Sequence, residues 1–271
     1  MSRCVARPGG RALGSALLLL ALAAGAAHGG DLAQIKRRGS LRVLAAADED
    51  AAWFAQAESA APGFEREVLE GFARVQKLHF EAVPVAHWED AIPMLLRDAG
   101  DVLGGISVTA ERRERVDFSV ELLPARSVVV TKRPHAPIRS LAELRSARLV
   151  IVANTTWADA LEKAGVPLAK ATKVDELAAA IDAIRTDRSD ATVTGVVDFF
   201  LQRRRLYELE AGLPLGETQS SAWAVRKSCP ELRQALDAYL GELRRSANWS
   251  RLLVKYFGAD APAILGREPI H

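Results

Sequence analysis

The sequence predicts an α/β fold made of two successive units. Strand-like and helix-like stretches alternate along almost the whole chain, the spacing expected when helices pack on parallel strands. The alternation restarts near residue 127 with a valine-rich stretch. No Gly-Ser or Pro-rich linker separates the two runs, so a pair of crossing strands is the expected join.

Residues 1–29 read as a secretory signal peptide. Arg3, Arg7 and Arg11 form a positive start, residues 16–24 an apolar run, and residues 24–29 are mostly small. The apolar run is well short of the roughly 20 residues a membrane-spanning helix needs. No adjacent arginine pair is present, which favours general secretion, and Cys4 precedes the apolar run, so it is not placed for lipidation after cleavage. Cleavage removes three of 36 basic residues and none of 34 acidic ones, leaving 33 against 34. A nearly neutral chain argues against nucleic acid as a partner. Cys229 is then the single cysteine, beside Pro230, so the fold is expected to hold by its core rather than by disulfides.

Gly39-Ser40 breaks a short basic helix containing Ile35, and residues 41–44 read as the first strand. Phe64, Val68, Leu69, Phe72 and Val75 recur at helical spacing. The paired acids Glu65 and Glu67 are expected on the solvated face of that helix. Residues 80–85 alternate as a strand, residues 88–96 are helical with Trp88, Ile92, Leu95 and Leu96 on one face, and residues 102–106 form a short strand with two glycines. After the valine-rich strand at 127–131, Ser140 and Glu143 mark a capped helix. Residues 149–152 are a buried strand and 157–164 a helix; Val174, Leu177, Ala178, Ile181 and Ile184 belong to another helix, and 191–194 to another strand. A strand at 220–225 follows, then a helix opened by Pro230 at its first position, and residues 249–257 close the chain helically.

The chemistry concentrates in residues 101–119, DVLGGISVTAERRERVDFS. A strand ends in Gly104-Gly105, where bare backbone can approach a ligand. Ser107 and Thr109 offer hydroxyls, and Arg112 follows three residues after Thr109. Free amides, hydroxyls and a planar guanidinium together suit a carboxylate or a phosphate; a surface arginine at a helix start is the plainer alternative. No HxxxH, CxxC, GxSxG or phosphate-loop pattern occurs, and His79 and His87 are poorly spaced for a metal. No metal, no cofactor and no enzymatic activity are expected.

The chain resembles the family 3 solute-binding proteins of ABC transporters, the polar amino acid binders. The matching stretches are IKRRGSLRV at 35–43, PGFEREVLEGFARV at 62–75, GGISVTAERRERVDFS at 104–119, SLAELRSARLVIVANTT at 140–156, RSDATV at 188–193 and VKYFG at 254–258, in family order. The resemblance implies the type II periplasmic binding protein fold: two Rossmann-like lobes joined by two crossing strands, with ligand between them. It places one lobe at residues 30–126 and 222–271 and the other at 127–221, hinged near 124–127 and 220–222. It puts Arg112 on the carboxylate-clamping arginine, Ser107 on the hydroxyl beside it and the Gly105 amide next to both. Asn154, Thr155 and Thr156 fall on the second lobe's Gly-Thr-Thr turn, with Asn for Gly; a simple helix cap is the plainer reading of that turn.

The departures bear on the ligand. The acid that holds an α-ammonium in amino acid binders is Gly195 here, and the nearest carboxyl is Asp198. A buried ammonium without an anionic partner is costly, so the departure argues against a standard α-amino acid. Asp198 or the acidic loop Asp48-Glu49-Asp50 as substitute is the less favoured alternative, since charged loops are usually solvated. Trp53-Phe54 stands near the family's missing Tyr-x-Pro-Phe segment, as cleft wall or as core. Glu121-Leu122 replaces the family's Pro-Tyr pair.

The expected function is capture of a small anionic or zwitterionic carboxylate ligand in the periplasm by a monomer, for an ABC permease or a sensor protein. A cyclohexadienyl dehydratase-like enzyme on the same scaffold is the alternative. A relative of the regulatory domains fused to lytic transglycosylases is a third reading; no lyase segment is present up to His271, so cell-wall cleavage is not expected.

Overall fold

The first half of the fold begins where a residue forces the chain to turn. Asp31 caps α1 (Leu32–Arg38), and Gly39, left-handed at φ 82°, ends it and releases β1 (Ser40–Ala46). Then come α2 (Ala51–Phe54), α3 (Phe64–Val75) and β2 (His79–Val85), followed by a 3-10 turn at Trp88–Asp90, α4 (Ala91–Leu96), β3 (Val102–Ser107), α5 (Ala110–Arg115) and β4 (Asp117–Phe118). β5 (Leu123–Lys132) leads to α6 (Leu141–Ser146), β6 (Val150–Val152), α7 (Thr156–Lys163), β7 (Thr172–Val174), α8 (Leu177–Arg185), β8 (Thr192–Gly195) and α9 (Val196–Arg203). β9 (Leu209–Val225), α10 (Pro230–Arg245) and α11 (Ala247–Phe257) complete the chain. This computed structural model describes residues 31–47, 49–58, 61–153, 155–259, 261 and 265. The expected signal peptide at 1–29, Asp48 and Asn154 lie outside the described residues.

The main sheet runs β2-β1-β3-β9-β5-β8, with β4 also on β9. β1 is parallel to β2 and β3, whereas β9 is antiparallel to β3, β4 and β5, and β8 is antiparallel to β5. β6 and β7 form a small parallel sheet whose edge reaches Ala191 through Leu149. The sheet is therefore mixed, and the expected crossing strands are β5 and β9. Over Leu123–Lys132 the first pairs the second, with register breaks between Ala125 and Ser127 and between Val128 and Val130. At its far end β9 pairs β3 and β4 instead.

Several elements differ from their sequence expectation. β9 has 17 residues where 220–225 were read as strand, because Gly212, Pro214 and Gly216 look like turn residues. Pro214 pairs with Val128 of β5, while Gly212 and the left-handed Gly216 fall in the register breaks between the two strands. Val174 pairs with Val152 in a strand rather than starting a helix. Trp88 leaves the apolar face assigned to it: it sits in the 3-10 turn and is 43% exposed. In α3 the stripe Phe64, Val68, Leu69 and Phe72 is buried as its period requires, but Val75 is exposed and the charged Glu65 and Arg66 are buried.

The C-terminal helices cover this first half. Phe64 meets Trp53, Trp249, Tyr256 and Phe257 at ring-centroid distances of 5.5, 5.7, 6.0 and 4.9 Å. An aromatic cluster at such separations adds about 0.5–1.5 kcal/mol per pair beyond burial. It ties α2, α3 and α11 into one wall and fixes where Trp53 stands.

Candidate ligand-binding site

The end of β3 and the start of α5 build one side of a cavity of about 850 Å³. Thr109 caps α5, its hydroxyl accepting from the Arg112 amide at 3.2 Å. That turn folds the Arg112 side chain back over the strand end, where Nη1 donates to the Ser107 carbonyl at 2.8 Å. Arg112 and Ser107 both line the cavity. Burial pulls the Arg112 guanidinium below its usual range, yet an arginine stays charged. Among the described residues no carboxylate forms an ion pair with it. A half-buried cation in that state gains most from an anion brought in by a ligand.

Gly105 lines the same wall, but its amide is not free for a ligand: it donates to Glu65 Oε1. This corrects both the expected Gly105 clamp and the expected solvated Glu65. The Glu65 carboxyl is 2% exposed, accepts from Trp223 Nε1 at 2.9 Å and is also bonded by Trp53. Burial nevertheless pushes it up to about 7. The glycine pair exists for this carboxyl. A Cβ at Gly104 would lie 2.9 Å from Glu65 Oε2, and one at Gly105 would lie 2.8 Å from Oε1.

β6, α7, β8 and α9 supply the opposite side. Thr155 caps α7, accepting from the Ala158 amide at 3.3 Å and donating to the Val152 carbonyl at 2.9 Å. Its hydroxyl thus does the work of a helix cap, while Thr155 and Thr156 still line the cavity. Gly195 and Asp198 form one unit. A Cβ at Gly195 would fall 2.5 Å from Asp198 Oδ2 and 3.5 Å from Trp157 Nε1. The Asp198 carboxyl therefore occupies the room that a side chain at 195 would take. Burial, and secondarily the negative charge of Asp50, push Asp198 up to about 6.

Of the acidic loop, Glu49 lines the cavity and is engaged within the protein. Asp50 caps α2 through the Ala52 amide at 2.8 Å and pairs with Arg205 through two contacts of 3.1 Å. Trp53 is both wall and core, lining the cavity while only 8% exposed. The cavity thus gathers Glu49, Trp53, Gly105, Ser107, Arg112, Thr155, Thr156, Gly195 and Asp198.

Sequence reasoning missed Trp88, Arg126, Trp157, Asp159 and Lys163, which also line the cavity. The last three follow Thr156 on one helix, so the helical period from the Thr-Thr turn was a usable signal. Trp88 carried none, because its spacing mimics a core position. Among the described residues no three His, Cys, Asp or Glu side chains converge as a metal site, and no helix is long and apolar enough to cross a membrane.

The comparisons with known proteins agree with this arrangement. The model of the bacterial extracellular solute-binding proteins, family 3, matches residues 41–259. L-cystine-binding protein TcyA of Bacillus subtilis is 25% identical over 238 residues, 86% of this chain and 87% of its own. Membrane-bound lytic murein transglycosylase F of Desulfosudis oleivorans is 25% identical over 205 residues, 73% of this chain and 44% of its own. The chain spans about half the length of the transglycosylases it matches. Among solved structures, the ancestral cationic amino acid solute binding protein AncCDT-1 matches with a TM-score of 0.75 at 25% identity, covering 83% of this chain and 99% of that one. A mutant of ArgBP from T. maritima shares the fold with a TM-score of 0.66 at 23% identity, covering 84% and 99%. With the matched residues running from the first strand to the last helix, the chain belongs to the bacterial extracellular solute-binding proteins, family 3, and has their two-lobed type II periplasmic binding fold.

Proposed function

We propose that this chain is an exported binding protein that captures a small zwitterionic ligand of amino acid type in the 850 Å³ cavity and presents it to an ABC permease in the periplasm. Residues 30–126 and 222–271 form one lobe and 127–221 the other, with β5 and β9 as the hinge. The ligand carboxylate meets Arg112 and the Ser107 hydroxyl, with Thr155, Thr156 and the start of α7 completing the cage. The amine meets Asp198, which stands in for the side chain that Gly195 lacks. The observation that carries this reading is the half-buried Arg112, which lines the cavity and makes no ion pair among the described residues.

A thermal-shift screen of amino acids and carboxylates tests it. Ligand at a hundredfold excess over Kd stabilises by about 2.7 kcal/mol. The shift is expected to vanish in Arg112→Ala, and affinity to fall at least about tenfold, some 1.4 kcal/mol, in Asp198→Asn. An amino acid that binds both variants unchanged overturns the assignment.

Asp198 also favours a second reading, an enzyme on the same scaffold. A carboxyl held near 6 beside a ligand cavity is the kind of group that acid–base chemistry uses, and AncCDT-1 is described as a precursor of cyclohexadienyl dehydratase. Turnover of prephenate or arogenate by the pure protein, lost in Asp198→Asn, would establish it. Binding without turnover leaves the first reading. A sensor protein in place of a permease is a matter of the docking partner, which co-purification resolves.

A further inference from the structure

One face of α7 borders the cavity beyond the part that a single amino acid head would use. Thr156, Asp159, Ala160 and Lys163 all line it. Their offsets of three, four and seven residues mark one continuous stripe. At 1.5 Å per residue the stripe runs roughly 10 Å along the helix. Across from it β9 passes as Leu215 and Gly216, and the Gly216 backbone is left-handed at φ 71° with only Ala160 Cβ near its bare side, 3.9 Å from a built Cβ. The wall is therefore open at the level of Asp159 and Lys163.

These two side chains have the order that favours pairing along a helix, acid four residues before base. They form no ion pair with each other, and among the described residues neither pairs with any other group. Apart from Glu49 and Arg126, which are engaged within the protein, the cavity presents two sets of opposite charges: Arg112 with Asp198, and Lys163 with Asp159. The second set lies about 5–10 Å further along α7 than Thr156. Asp159, about 4.5 Å along the helix from Thr156, stands at the separation of two amino acid heads joined by a short linker, since two heads joined by a disulfide have Cα atoms about 4.4–6.8 Å apart. Lys163, roughly 10 Å along, reaches back toward that level because helix side chains lean toward the N-terminus. A cavity in the upper part of the roughly 300–1,000 Å³ range of small-molecule sites has room for such a ligand.

We propose that the ligand is doubly zwitterionic, a diamino dicarboxylate: one head is held by Arg112 and Asp198, and the other by Lys163 for its carboxylate and Asp159 for its amine. This rests on the amino acid reading of the first head, and extends it by a second recognition site on α7.

Isothermal titration with two matched probes tests the second head. The probes are α,α′-diaminosuberate, which has two heads, and α-aminooctanoate, which has the same chain length and one head. The two-headed probe is expected to bind at least about tenfold more tightly. Asp159→Asn and Lys163→Met are exposed changes that leave the fold intact by circular dichroism. Each should weaken the two-headed probe about tenfold and change the one-headed probe less than about twofold. Equal affinity for the two probes, or equal losses for both in the variants, overturns the second head. Arg112-dependent binding of the one-headed probe alone does so while leaving the amino acid reading standing. Binding of neither probe overturns the second head, and a blank amino acid screen as well overturns the first.

Discussion

A carboxyl group buried behind a pair of glycines is an electrostatic load, and at Glu65 it is answered by the Gly105 amide and two indole groups rather than by a cation. Burial outweighs those donors, so the proton is held up to about 7, against 4.5 for the free side chain. Between those pH values the folded chain binds more protons than the unfolded one, and stability falls as pH rises through the window. Asp198 adds the same sign between 3.8 and about 6. Asp190, held down by Arg148, works in the opposite sense at lower pH. In Glu65→Gln the loss of melting temperature from about pH 5 to pH 7.5 should be clearly smaller than in the parent, measured by scanning calorimetry across that range. Parallel profiles would mean Glu65 titrates normally. For the ligand the sign reverses: an amine beside Asp198 favours its charged form, so affinity should weaken below about pH 6.

Elements that obey a local period are the ones whose position sequence alone discloses. The stripe of α3 and the Pro230 start of α10 are of this kind. The first eleven residues of β9 are not, since their glycines and proline have no strand preference and the stretch is held by pairing of the residues around the glycines with β5. The glycines of β3 show the same dependence. Gly104-Gly105 was legible as a place of close approach, but whether ligand or protein approaches depends on α3 packing across it. A Cβ at Gly105 would be 2.8 Å from Glu65 Oε1 and 2.9 Å from Ser221 Oγ, both on packed elements. Gly105→Ala should therefore lower unfolding stability by about 1–3 kcal/mol in urea titration. A neutral result would mean that Glu65 can swing aside.

At the scale of the whole molecule, the contacts that cross between the proposed lobes are both apolar and polar. One buried cluster holds Trp53 and Phe257 of the first together with Phe199 and Phe200 of the second, and α9 packs against α11. Asp50 at the start of α2 grips Arg205 just beyond α9, and Arg204 donates to the Lys255 carbonyl on α11. The Asp50–Arg205 pair is largely exposed and contributes about 0–1 kcal/mol. Arg205→Ala should thus leave the melting temperature nearly unchanged. If β5 and β9 act as a hinge, the ligand-free variant should be measurably larger than the parent in small-angle scattering, and ligand should compact both. Identical profiles with and without ligand would argue against closure.

Sequence by itself determined the α/β class, the order of most elements and the run from Ser107 to Arg112, because each is written in local periodicity or in short motifs of fixed spacing. The crossing strands were expected from the missing linker and the family resemblance. Only the tertiary structure decided which groups share the cavity and which are spent elsewhere. It gave the Gly105 amide to Glu65, the Thr155 hydroxyl to a helix cap and Asp50 to Arg205, and it carried Asp198 into the space beside Gly195. The Glu65–Gly105 and Asp50–Arg205 contacts join residues 40 and 155 positions apart, which no local pattern encodes. The Thr155 cap and the Asp198 carboxyl lie three residues from their partners, and what the fold decided for them is their place beside the cavity.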